Sequence, residues 1–217
     1  MSGSHKAEWK VAINGVDYGE SVLQNIEINR SVFASSPVLG SCISGEIDVT
    51  LIKPTVDIPR MATVEPYVRV TNGLLTSEWL PKGKFWIDTR EFTKNDGVEL
   101  MTIHGFDAML MAEQLVPINS YPQTDLAAVT EIATFLGLTL DDEASTIMTH
   151  GYTVPVPAEY SCREVLGYIA AMYAGCWVMD DFGNLRLVTV NGMPAETNLL
   201  INGAGFAITF GGDRILV

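Results

Sequence analysis

The chain has 217 residues, of which 47% are hydrophobic and 18% charged, with 19 glycines and 10 prolines scattered among short apolar runs. That is enough to bury a proper core in one large unit or two modest ones, and the composition excludes a disordered chain. Thirteen basic against 26 acidic side chains leave a formal charge of -13, which argues against stable nucleic-acid binding, because phosphate recognition needs clustered cations.

No run approaches the roughly 18–20 apolar residues of a membrane span, and residues 1–10 lack the apolar centre of a secretory signal. Cys42, Cys162 and Cys176 are odd in number and form no CxxC pair, which fits reduced thiols in a reducing compartment.

In chain order, residues 9–13 alternate and reach Asn14-Gly15, a strong hairpin signal, after which residues 16–18 return. Ile26 and Ile28, separated by Glu27, read as a half-buried strand, and residues 31–40 as a loop. Ile43, Gly45, Ile47, Val49 and Leu51 then fall on one face, with Ser44, Glu46, Asp48 and Thr50 on the other. This is the pattern of an antiparallel strand with one face on a core and one in water. Residues 53–59, with two prolines, are expected to be an exposed connection. Strands are expected at 67–71, ending at Asn72-Gly73, and at 85–92 after a loop over 79–84. The turn at 94–97 joins the latter to a strand at 98–104. Six or more short strands without a long helix predict an antiparallel β-barrel or sandwich over residues 1–105.

The character changes at Phe106. Residues 107–116 are helix-prone, and Thr124 suits the N-cap of a helix over 125–136 with Leu126, Val129, Ile132, Ala133 and Leu136 on its apolar face. Residues 141–144 begin a short helix, and 152–156 form a proline-limited edge strand. Ser161 and Glu164 then spell a capping box for a helix over 161–174, with Val165, Ile169 and Met172 as its stripe. Gly175 is the expected left-handed C-cap. Residues 176–190 form a hairpin turned at 180–184. The fold class is therefore α+β and β-rich, with a smaller α/β unit over 106–217 in which a helix packs on a hairpin. Residues 206–210 alternate again, and Arg214, Ile215, Leu216 and Val217 form a strand-like apolar end. That end reads as a C-terminal truncation or a last strand donated to a neighbour.

The sequence offers little chemistry. His5, His104 and His150 lack a second ligand at helical spacing, so no metal site is expected. Cys162 with His104 or His150 is a conceivable nucleophile pair, but a partly buried structural thiol is the plainer reading. Asp181-Phe182-Gly183 spells a kinase signature without its companion motifs and reads as a turn. The acidic pairs at 180–181 and 141–143 read as solvated turns, not as glycosidase or calcium sites. No catalytic residue and no cofactor is expected. Trp79, Phe85, Trp86 and Trp177 fit a sugar-binding face or, at strand spacing, a core or subunit interface.

Successive segments carry a resemblance across most of the chain: INGVDYGESV, SCISGEIDVTL, IPRMATVEPYVRV, EWLPKGKFWIDTR and REVLGYIAAMYAGCWVMDDFGNLRLV. Together they resemble the baseplate or tail-tip hub proteins of prophages of Gram-positive bacteria, which are similar in architecture to the hub of contractile phage tails. The resemblance implies a virion structural subunit, made in the bacterial cytoplasm, that assembles as a homo-oligomeric ring, commonly a trimer. It would join tail tube to tip, and its implied partners are tail tube or distal tail protein, tape measure and tip or fibre proteins. Many relatives continue past GGDRILV, where this chain stops. Tyr67, Arg69, Trp79, Trp86, Arg214, Ile215, Leu216 and Val217 are the candidate assembly residues. The alternative is a module for host-surface glycan or receptor, for which Trp79 and Trp86 should share an open concave surface.

Overall fold

The structure, a computed structural model, describes residues 6–32, 39–71, 75–117 and 120–189, together with the backbone of 209–210 and 213–214. Asn14 and Gly15 both take positive φ, 50° and 78°. This two-residue turn matches the twist of flanking strands, and it joins β1 (Lys6–Ile13) to β2 (Val16–Gly19). Asp96 and Gly97, at 48° and 84°, do the same between β7 (Phe85–Asn95) and β8 (Val98–Asp107). With β3 (Leu23–Asn29), β4 (Glu46–Ile52), β5 (Thr63–Thr71) and β6 (Leu80–Pro81) they build one sheet, ordered β2-β1-β5-β7-β8-β4-β3 with β6 beside β5. All its pairings are antiparallel.

Seven strands laid flat would span about 29 Å at ordinary strand spacing. Yet Val11, Ile13 and Tyr18, from one end of that order, pack in the same cluster as Leu23, Ile26 and Ile28 from the other. The sheet therefore coils on itself into a barrel-like wall around a single core. Ile47, Val49 and Leu51 are buried as the alternation of β4 predicts, and Phe85, Ile87, Met101 and Ile103 close the core from β7 and β8. Three expectations change. Strand β4 begins at Glu46, so Ile43 and Gly45 lie before it. The alternation of β7 breaks at Asp88, where the register with β8 slips between Ile87 and Thr89, a bulge that bends the strand. The 53–59 connection is not simply exposed, because Ile58 is 4% exposed and belongs to the core.

After β8 the helix expected over 107–116 is only a 3-10 helix, Ala108–Glu113, capped by the Asp107 side chain. Then follow β9 (Gln123–Thr124), α1 (Asp125–Phe135), β10 (Thr139–Leu140), α2 (Asp142–Ile147), β11 (Thr153–Val154), α3 (Cys162–Met172), β12 (Gly175–Met179) and β13 (Asn184–Thr189). A two-residue pair, β14 (Thr209–Phe210) with β15 (Asp213–Arg214), comes last. The Thr124 hydroxyl caps α1 by accepting from the Ala127 N–H. Val129, Ile132 and Ala133 are buried, while Leu126 is only partly so.

Both halves of the capping box are made at α3: Glu164 N–H donates to the Ser161 hydroxyl, and Ser161 N–H donates to the Glu164 carboxylate. The buried stripe is Cys162, Val165, Leu166, Ile169 and Ala170. Met172 lies on its flank and is 45% exposed, so it is not a core residue. Gly175 does not cap the helix. Ala174 takes the left-handed conformation, at φ 49°, and Gly175 already pairs with Thr189 in the hairpin. A Cβ on Gly175 would lie 2.7 Å from the Val188 carbonyl oxygen. The glycine is required by close approach, not by handedness.

The helices and the small sheet β10-β13-β12 enclose a second cluster centred on Trp177, Leu166, Ile169, Leu185 and Leu187. Residues 40–42 run beside β12: Gly40 N–H donates to the Gly175 carbonyl and Trp177 N–H to that of Ser41. Cys42 is therefore part of the second cluster although it precedes the whole of β4.

Candidate assembly surface

On the outer face of β1 and β5, side chains directly across the ladder meet. Lys10 faces Tyr67 and Glu8 faces Arg69. The Arg69 guanidinium lies 4.4 Å from the Trp79 ring centroid, and the Lys10 ammonium lies 5.2 Å from Trp79 and 5.1 Å from Tyr67. Such stacks contribute about 0.5–1 kcal/mol at exposed sites. Each cation also has a carboxylate, Arg69 with Glu8 and Lys10 with Asp17, both at 2.7 Å. Burial raises the Tyr67 phenol above its usual range, and the hydrogen bond to Glu65 adds to this. Three of the sequence candidates, Tyr67, Arg69 and Trp79, thus form one self-neutralised aromatic and cationic face.

Trp86 is elsewhere. It pairs with Thr63, six residues or about 20 Å along β5 from Arg69, and packs against the second cluster. Trp79 and Trp86 do not share an open surface. Phe85 and Trp177 are fully buried, so neither lines a sugar-binding face. The Trp177 indole N–H donates to the Leu166 carbonyl at 2.9 Å. Of 214–217, only the backbone of Arg214, in β15, is among the described residues. Ile215, Leu216, Val217 and most of 206–210 lie outside them.

The contact between the barrel and the α/β part rests on charges that sequence reasoning passed over. Asp181, read as a solvated turn residue, accepts from Lys82 Nζ at 2.6 Å and from Arg30. Arg30 also donates to the Lys82 carbonyl at 2.7 Å. Burial pushes the Asp181 carboxyl up, but the two cationic hydrogen bonds more than offset this and hold it below the usual range. Arg163, in the first turn of α3, ties three segments together. It donates to Glu113 at 2.5 Å, to the Met109 carbonyl at 2.7 Å and to the Cys42 carbonyl. The buried Asp107 carboxylate accepts from Gly45 N–H at 2.7 Å and Met109 N–H at 3.0 Å. Burial outweighs those bonds and pushes its pKa up to about 6. A cavity of about 200 Å3 lies between Arg30, Asp107, Val178 and Met179 at this junction.

Cys162 is fully buried, its thiol pushed up to about 11 by burial, the opposite of what a thiolate nucleophile requires. His104 is hydrogen-bonded to Asp48 on the sheet, and His150 stacks on Tyr152. No hydrogen bond joins either to Cys162 among the described residues. Those residues also contain no group of three potential metal ligands and no helix long and apolar enough to cross a membrane.

No family model and no curated protein matches this sequence. Solved structures do match, and what they share with this chain is the fold, which is also found in phage and bacterial tail proteins. The 43 kDa tail protein of prophage MuSo2 from Shewanella oneidensis superposes with a TM-score of 0.59 at 14% identity, covering 84% of this chain. A tail protein from Neisseria meningitidis MC58 gives 0.53 at 12% over 83%, and prophage tail protein gp18 from Listeria monocytogenes EGD-e gives 0.51 at 7% over 90%. The chain spans about half the length of these proteins, 53%, 51% and 55% respectively.

Proposed function

We propose that this chain is a structural subunit of a phage or prophage tail, at the baseplate or tail-tip hub, assembling as a homo-oligomeric ring that joins tail tube to tip. The observation that carries the reading is the fold shared with three tail proteins over 83–90% of this chain. The ring, its favoured trimeric stoichiometry and the hub position rest on the resemblance of the sequence segments, as does the link to Gram-positive hosts. The same holds for the partners, namely tail tube or distal tail protein, tape measure and tip or fibre proteins. The division at residues 105 and 106 belongs to this reading; two hydrophobic clusters support two cores, with Cys42 and Trp86 of the first segment packing into the second.

No observation favours the glycan-binding alternative in the form the sequence raised it, because Trp79 is stacked by Arg69 while Trp86 packs on the second cluster. Light scattering on size-exclusion chromatography across protein concentration, with negative-stain imaging of the peak, tests the proposal. A trimer or hexamer with a central opening is expected. A strict monomer at every concentration, or a closed compact dimer, would count against the ring.

A further inference from the structure

We propose that residues 39–44 are a releasable strap. Seated, they tie the barrel to the α/β part and cover the edge of β12; released as a unit, they leave both hydrophobic cores standing. The connection that carries them is far longer than its ends require. Strands β3 and β4 are antiparallel neighbours with Asn29 opposite Glu46, a pairing that about two to five residues would join. The chain instead runs from residue 30 to residue 45, past the roughly 12–15 residues beyond which loops are uncommon and usually functional.

On its way it lies between α3 and β12. A Cβ on Gly40 would stand 2.6 Å from the Gly167 carbonyl oxygen and 3.1 Å from the Ala171 Cβ, and one on Gly167 would stand 2.6 Å from the Gly40 carbonyl oxygen. Two backbones therefore touch with almost no side chain between them. Beside β12 the strap makes two backbone hydrogen bonds, Gly40 N–H to the Gly175 carbonyl at 2.7 Å and Trp177 N–H to that of Ser41 at 3.0 Å. Arg163 adds its bond to the Cys42 carbonyl and a long one, 3.4 Å, to the Ser44 hydroxyl. The far end is fixed to β8: Gly45 N–H donates to the Asp107 carboxylate at 2.7 Å, and Asp107 N–H donates to the Gly45 carbonyl at 2.9 Å.

The strap has little apolar anchorage. Among the described residues, Cys42 is its only side chain in either hydrophobic cluster, and Leu39 is 46% exposed. A segment with few buried apolar contacts opens at a lower free energy than the fold as a whole. Its departure removes no strand of the large sheet, because β3 ends at Asn29 and β4 begins at Glu46. It does bare the Gly175 carbonyl and the Trp177 N–H, and an unpaired edge of that kind is a template for pairing with another chain. The strap is a cover as well as a tie.

Two probes in the unmodified chain read the strap separately from its surroundings. Alternation along β12 turns the Trp177 N–H toward Ser41 and those of Cys176 and Val178 toward β13. Corrected for intrinsic rates, native-state amide exchange at Trp177 should be roughly tenfold or more faster than at Cys176 and Val178. Alkylation by iodoacetamide, located by peptide mass spectrometry, should modify Cys42 faster than Cys162 by a similar factor, since Cys162 belongs to the buried stripe of α3. Equal rates within each pair would mean that the strap leaves only when the α/β part unfolds, and would overturn the proposal.

Gly167→Ala supplies the perturbation. Alanine is favoured over glycine in a helix interior, so α3 itself is not weakened, while the added methyl meets the Gly40 carbonyl. Exchange at Trp177 and labelling at Cys42 should both rise about tenfold, with Cys176, Val178 and Cys162 keeping their parent rates. A variant in which every probe speeds up alike, or none does, counts against a separate strap. Should the variant fail to fold, the comparison within the parent decides alone.

Discussion

Asp107 shows how one side chain can serve structure at an energetic cost. Its carboxylate holds the start of the 3-10 helix and the approach of Gly45, yet burial lifts its pKa to about 6 from an ordinary 3.8. A folded-state value above the unfolded one means that the native chain binds the proton more tightly. Its contribution is therefore most favourable below about pH 4 and is lost as pH rises through 6, by an amount on the order of 2–3 kcal/mol. Urea unfolding between pH 4.5 and 7 should show the parent losing stability relative to Asp107→Asn. Parallel profiles would remove Asp107 from the account. At the end of α3 the handedness and the glycine are out of step by one residue. Ala174→Gly should stabilise by about 0.5–1 kcal/mol by relieving a left-handed alanine, whereas Gly175→Ala should destabilise by about 1–3 kcal/mol through overpacking against the Val188 carbonyl. Thermal melts of the two variants should therefore move in opposite directions.

Among the elements, α3 does more than its capping box reveals. Glu164→Ala removes one reciprocal cap and should lower stability by about 1 kcal/mol. Arg163→Ala should cost more, about 2–3 kcal/mol, because it strands the buried carbonyls of Cys42 and Met109. Arg163→Lys should recover little, since an ammonium cannot reproduce the fork that reaches two other segments at once. Denaturant midpoints for the three variants would rank them, and an Arg163→Lys equal to the parent would mean the clamp is unimportant. The β1–β2 and β7–β8 hairpins, the start of α1 and the capped start of α3 were all legible, because each depends on residues within four positions of one another. The 107–116 helix was not. Its composition favours a helix, but Asp107 is fixed by Gly45, just ahead of β4, and the chain must turn at once to bring Leu115 beside Ser161.

For the molecule as a whole, the junction of barrel and α/β part depends on pairings across large separations, 151 residues for Arg30 with Asp181 and 99 for Lys82 with Asp181. Asp181 titrates below the usual range, so its contribution is present above the unfolded value and is lost as pH falls through the folded one. It thus opposes Asp107, whose contribution fades at higher pH. Because the group is about a third exposed, Asp181→Asn should cost no more than about 1 kcal/mol globally. Its clearer effect should be faster amide exchange at 182–184 and in β12, read by hydrogen–deuterium exchange. Unchanged exchange there would show that the ion triad does not hold the hairpin to the barrel.

What the sequence determined by itself is the class of fold and its local units: an alternating, turn-rich antiparallel half, then helices and a hairpin. Those depend on periodicity, caps and turn chemistry, which act between near neighbours and so leave a readable pattern. Only the tertiary structure decided that the sheet coils until its two ends share a core. It also decided that Trp79 lies against two cations while Trp177 is buried, that Asp181 is an anchor, and that Tyr168 and Met172 face outward. Each of those outcomes depends on which distant segment arrives beside a residue, and neither hydrophobicity nor charge carries that information until the chain is folded.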